Sequence, residues 1–100
     1  MGKHTILLMQ TKGRSSRTYH DFENEQAAVA ALIGMFEQRL FELNPNQPYL
    51  QYEPRDVGVF VDSMPHIGLL VYDDRTGAYV PHAKPAIKQR AEQHLRSRAR

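Results

Sequence analysis

The chain contains no cysteine, which removes disulfides, thiolate metal sites and cysteine nucleophiles at once. That fits a reducing compartment. Near its start Ile6-Leu7-Leu8-Met9 is apolar, but four residues fall far short of a signal-peptide core or a membrane span. The expected location is therefore the cytosol or the nucleus, with no membrane attachment. Internal repeats and linker-like stretches are missing as well. At 100 residues and 11.5 kDa the chain is expected to form one domain, residues 1–100, with a single modest core. That size excludes a two-domain enzyme built around a cofactor fold. A composition of 41% hydrophobic and 24% charged residues is that of an ordinary globular protein, not a disordered one.

Motifs for chemistry are missing too. The five histidines, His4, His20, His66, His82 and His94, lie apart and show no metal-ligand spacing. His20 and Asp21 are neighbours, but successive strand residues point to opposite faces, so they do not form a catalytic pair. Lys12-Gly13-Arg14-Ser15-Ser16 lacks the spacing of a phosphate-binding loop and reads as a mobile hairpin tip. Ser15 and Ser16 have no evident base beside them. Asp73-Asp74 reads as a solvated turn. These observations predict no catalytic residue, no metal and no cofactor.

The charge is small but segregated. Residues 84–100 hold six cations against Glu92, a net of +5, which leaves −3 for the rest of a chain whose total is +2. Such a helix could contact phosphates. It also places cations near a helix C-terminus, where the dipole favours them. No interleaved aromatics or RNA-reading motif accompany it, so the second interpretation is preferred and direct RNA binding through this helix is kept as the alternative.

The hydrophobic pattern predicts seven elements. Residues 5–10 read as a strand with Ile6 and Leu8 on one face, Leu7 and Met9 on the other. Residues 17–22 alternate again and complete a hairpin. Asn24 is a natural N-cap, and Val29, Leu32, Ile33, Phe36, Leu40 and Leu43 follow at helical spacing until Asn44-Pro45 stops the helix. A shorter helix starts near Pro54, with Val57, Phe60, Val61 and Met64 as its buried stripe, and ends at Pro65. Residues 68–72 and 78–81 form a second hairpin around Asp73-Asp74-Arg75-Thr76-Gly77. A last helix runs from Pro85 to Arg100 with Ile87, Ala91 and Leu95 inward.

The expected fold is α+β: β-β-α-α-β-β-α, a four-stranded antiparallel sheet with three helices on one face. The other face is then bare. If it presents Ile6, Leu8, Leu70 and Tyr72, it is an apolar patch that a monomer should not expose. A two-fold homodimer through the sheets is the expected cover.

Further motifs point to a family. Thr18-Tyr19-His20-Asp21 has the form favoured by acidophilic kinases. His4-Thr5-Ile6-Leu7-Leu8-Met9-Gln10, Arg17-Thr18-Tyr19 with Asp21-Phe22-Glu23, Asn44-Pro45-Asn46, and Leu70-Val71-Tyr72 before Tyr79-Val80-Pro81 occur in the order and spacing of the enhancer of rudimentary family, which the chain resembles over practically its whole length. The resemblance implies a sheet-mediated homodimer and a non-enzymatic adaptor of nucleus and cytoplasm. Such an adaptor docks short segments of RNA-processing proteins, in splicing, transcript elimination, microRNA processing or small-RNA (piRNA) pathways, with links to cell division and pyrimidine metabolism. RNA is then reached through those partners.

The resemblance also implies that Thr18 is the family's kinase site, while the second serine site of animal relatives falls on Asn24 and is lost. Ala86 after Pro85 stands where family members commonly carry tryptophan, and Val57-Gly58-Val59-Phe60-Val61-Asp62 departs from the usual second helix. These departures suggest a divergent member with an altered partner set. Apolar and aromatic grooves suit segments that fold on docking, and Phe22, Phe36, Tyr49, Tyr52 and Tyr79 are the candidate lining. A small enzyme of nucleotide metabolism, suggested only by the family's name, has no supporting constellation.

Overall fold

The computed structural model describes residues 4–49 and 51–98. The strands are β1 (Thr5–Gln10), β2 (Arg17–Phe22), β3 (His66–Asp73) and β4 (Ala78–His82); the helices are α1 (Glu25–Leu43), α2 (Pro54–Asp62) and α3 (Lys84–Arg98). A single 3-10 turn, Arg14–Ser16, lies in the first hairpin loop. The sheet is antiparallel throughout, in the order β2-β1-β3-β4. Its two central strands, β1 and β3, are far apart in the chain.

Local chemistry sets the element ends. Asn24 Oδ1 accepts from the Ala27 amide at 2.8 Å, satisfying one of the free donors at the start of α1. At the other end the Asn44 side chain donates to the Leu40 carbonyl at 2.9 Å, and Pro45 prevents continuation. Pro54 opens α2, and the Asp56 carboxylate accepts from the Glu53 amide at 2.8 Å. In the second hairpin the Arg75 amide donates to Asp73 Oδ1, and Gly77 takes a φ of +68°, which glycine alone adopts freely.

Alternation along β1 and β3 divides the sheet into two faces. Leu7, Met9, Ile67, Leu69 and Val71 point to the helices and pack with Ala28, Leu32, Val61, Met64 and Ile87. A second cluster lies between the helices: Val29, Ile33, Phe36, Val57, Ala91 and Leu95. Leu7, Leu32, Leu69 and Ile87 are each only 1% exposed, so truncating any one opens a cavity costing about 2–5 kcal/mol.

The structure adjusts several expectations. Strand β3 begins at His66, two residues before the apolar run, because Gln10 pairs with His66 across the ladder. Leu43 is 63% exposed instead of buried, since the last turn of α1 extends past the packed layer. Met64 is buried although α2 ends at Asp62. Helix α3 starts one residue earlier, at Lys84, and the expected final residue, Arg100, lies outside the described residues.

Candidate interaction surfaces

The outer face of the sheet follows from the strand registers. Ile6 stands opposite Leu70 and Leu8 opposite Gly68 on the central pair. Tyr19 and Asp21 flank them on β2; Tyr79 and Pro81 flank Tyr72 and Leu70 on β4. Directly opposed residues share a face, so Ile6, Leu8, Leu70 and Tyr72 form one apolar surface, as the alternation predicts. Each is half-buried by its neighbours, while Tyr19 and Tyr79 are exposed. Gly68 leaves a dimple beside Leu8: a Cβ there would reach the Leu8 Cβ at 3.9 Å. All three helices lie on the other side, so among the described residues nothing in the chain covers this face.

A polar relay borders it. The Tyr79 hydroxyl donates to His4 Nδ1 at 2.5 Å, and His4 Nε2–H donates to Asp21 Oδ1 at 2.9 Å. The Tyr79 ring also meets Tyr72 edge-on at 5.3 Å. Sequence adjacency had drawn attention to His20 and Asp21; the fold instead brings Asp21 to His4, two positions before Ile6 and on the same face. Period-two counting back from Ile6 could have found it.

Of the five aromatic candidates, Tyr79 belongs to this face. Phe22 is half-buried against the core, and Phe36 is buried within it, edge-on to Tyr52 at 4.9 Å and against Phe60 at 5.5 Å. Phe36 therefore belongs mainly to the core. Tyr49 is 69% exposed beyond α1. Tyr52 sits in an open, largely acidic groove of about 690 Å³ with Glu37, Glu53, Asp56 and Arg98. Its hydroxyl donates to Glu37 Oε2 at 2.6 Å, and Arg98 donates to the same oxygen at 3.1 Å. Burial, reinforced by the Glu37 carboxylate, raises the Tyr52 phenol above its ordinary value of 10.0. The hydrogen bond that Arg98 donates to Glu37 holds its guanidinium above its ordinary value. The five candidates thus do not gather into one groove.

The described cations of the basic helix have partners within the chain, although Arg96 and Arg98 stay more than half exposed. Lys84 Nζ donates to the Met64 carbonyl at 2.6 Å, and Lys88 pairs with Asp62 at 2.8 Å. Arg90 pairs with Glu25, Arg96 with Glu92 at 3.3 Å, and Arg98 with Glu37 at 3.1 Å. Every described cation of α3 thus has a partner within the chain. By contrast, among the described residues neither Lys12 nor Arg14 of the first hairpin loop forms an ion pair. Thr18 is exposed on the edge strand β2, in register with Met9. No group of three or more His, Cys, Asp or Glu among the described residues could hold a metal ion. No helix among them is long and apolar enough to cross a membrane.

A four-stranded antiparallel sheet with three helices on one side and an apolar second face is a small α+β fold. Comparison with known proteins gives the particular family. The enhancer of rudimentary profile matches residues 1–100. An enhancer of rudimentary homolog of Dictyostelium discoideum is 39% identical over 96% of this chain and 97% of its own length. The Arabidopsis thaliana homolog is 35% identical over 94% of the chain and 87% of its own length. The Drosophila virilis protein enhancer of rudimentary is 35% identical over 96% and 93%. The chain belongs to the enhancer of rudimentary family. None of these names denotes an enzymatic activity.

Proposed function

We propose that the protein is a homodimeric, non-enzymatic adaptor that docks short segments of RNA-processing proteins, with pairing through the outer sheet face. The observation that carries this reading is the uncovered surface of Ile6, Leu8, Leu70 and Tyr72. A second copy of the same face is its simplest cover. The dimer offers each partner segment two equivalent sites, so paired partners gain effective concentration without new contacts. Splicing, transcript elimination and microRNA or piRNA biogenesis are the pathways proposed for those partners, in nucleus and cytoplasm, with a role in cell division. Thr18, exposed and followed by Asp21, is the proposed phosphorylation site.

The internal pairing of the α3 cations favours this reading over direct RNA binding, because phosphates would have to displace Asp62, Glu25, Glu92 and Glu37. The test is a tagged pull-down from cell extract, divided into nuclease-treated and untreated halves. Partners from RNA processing are expected to survive nuclease. Loss of all partners with the RNA would overturn the adaptor and leave RNA as the ligand.

A further inference from the structure

A groove of about 650 Å³ opens on the helix side of the molecule, between α1, the end of α2 and the edge of β1. Its floor holds three methionines, Met9, Met35 and Met64, from three different parts of the chain, together with Phe60. Unbranched thioether side chains re-pack readily around different shapes, which is why methionine recurs on surfaces that accept varied apolar segments.

Gly34, in the middle of α1, is part of this lining. Glycine is the poorest helix former after proline, and nothing inside the chain requires one here. A Cβ at position 34 would meet no atom within 4 Å, and the helix follows regular geometry through it. Gly58, by comparison, has Lys88 packed over it at 3.5 Å. Glycine at 34 has its effect outside the chain: it lets another backbone or a bulky side chain lie directly on the helix.

The charge at the rim says what kind of occupant fits. Lys12 borders the groove and has no ion-pair partner among the described residues. The loop that carries it, residues 11–17, holds Lys12, Arg14 and Arg17 and no carboxylate. Arg39, on the opposite rim, meets only Glu42, at a loose 3.7 Å with both side chains more than half exposed. The margin thus carries Lys12 and Arg39 against one carboxylate, Glu42, with Arg14 on the adjoining loop, and this net cationic edge around an apolar floor complements an apolar anchor flanked by carboxylates.

We infer that this groove is a docking site for a short segment of a partner protein whose apolar side chain sits on Gly34 among the three methionines and whose adjacent Asp or Glu meets Lys12 and Arg39. The inference rests on the reading of the protein as an adaptor and places the segment on it. Met9 points to the helix side of β1 while Ile6 and Leu8 point away, so this occupant and a second copy on the sheet do not compete for surface.

The experiment selects phage-displayed random dodecapeptides on the full-length wild-type protein, then measures the enriched peptides by fluorescence anisotropy. Enriched sequences are expected to carry a Leu, Ile, Phe or Met beside acidic residues. Gly34→Trp, which fills open space without touching the core, is expected to weaken them roughly tenfold or more. Gly34→Ala, which adds a single methyl beneath the docked side chain, should weaken binding less than Gly34→Trp does, with an equal or higher melting temperature. Lys12→Glu should weaken binding several-fold and flatten its salt dependence. Amide shifts in nitrogen-15 spectra should centre on Gly34, Met35 and Phe60.

Absence of any enriched peptide, or equal binding to Gly34→Trp, overturns the assignment. Enrichment of apolar sequences without acidic residues, indifferent to Lys12→Glu, overturns the partner chemistry. A changed solution mass for Gly34→Trp would make the groove a contact between copies and also overturn it. The adaptor reading fails separately, by a monomeric wild type or by partners lost with nuclease, and neither result alters the peptide selection.

Discussion

Leu8→Arg tests the proposed pairing of sheets most directly. Leu8 lies at the centre of the outer face, opposite Gly68 on β3 and Tyr19 on β2. Within one chain it is only half-buried, so arginine can extend into solvent and the monomer should still fold. In a two-fold dimer both copies carry the change. Each loses apolar burial of about 1.5–3 kcal/mol, and each guanidinium must be desolvated without a partner, at several kcal/mol more. Even a total of about 4 kcal/mol raises the dissociation constant by about three powers of ten. Sedimentation velocity at micromolar concentration is the assay. The wild type should sediment at twice the 11.5 kDa chain mass and the variant at the chain mass, with far-ultraviolet circular dichroism unchanged. A variant that remains dimeric with an unaltered dissociation constant would refute the assignment of this face. So would a wild type that is monomeric at every concentration measured.

Leu7→Ala, one residue along, should leave the oligomeric state alone and lower stability by about 2–5 kcal/mol in urea denaturation, because Leu7 is 1% exposed in the core. Asn24→Ala removes the cap that accepts from the Ala27 amide and should cost about 1 kcal/mol by the same measurement. Tyr52 is held neutral in the fold by a phenol pKa above 10.0, so its stabilisation is full below about pH 10 and is lost as pH rises through the raised value. Melting temperatures should therefore fall more steeply above that pH in the wild type than in Tyr52→Phe. Neutralising Arg96 and Arg98 together should leave nuclease-resistant partners bound in pull-downs, whereas an RNA-binding helix would lose its ligand.

The local elements were legible because each carries its own signal. Alternation gave the bounds of β1 and β2, Asn24 and Asn44-Pro45 bracketed α1, and Pro54 marked α2. The outer face was legible for the same reason, since period two assigns Ile6 and Leu8 to one side without knowledge of the neighbours. What depends on long-range placement was not. Leu43 fits the apolar period of α1, but exposure there is decided by where the sheet ends beneath the helix. The cations of α3 looked free as a charge run, because Asp62, Glu25 and Glu37 are distant in sequence and only folding brings them across. Tyr52 and Phe36 were chosen for being aromatic, which says nothing about which one the core absorbs. Gly34 passed unremarked, as a glycine in a helical pattern carries no sign of the open space above it.

The strand order has a bearing on when the face proposed for pairing takes shape. The centre of the outer face is made by β1 and β3, which pair Ile6 with Leu70 across most of the chain's length. Joining such distant segments is slow relative to closing either hairpin. A chain still being synthesised therefore displays half of the surface at most, with Ile6 and Leu8 on a two-stranded hairpin that is marginal by itself. The complete face exists only after β3 has emerged and docked, and α3, which follows β4 in the chain, covers the other side of the sheet last. The face proposed for pairing is thus complete only late in folding. A chain cleaved in the exposed segment between α1 and α2 should yield two pieces, neither of which carries the face.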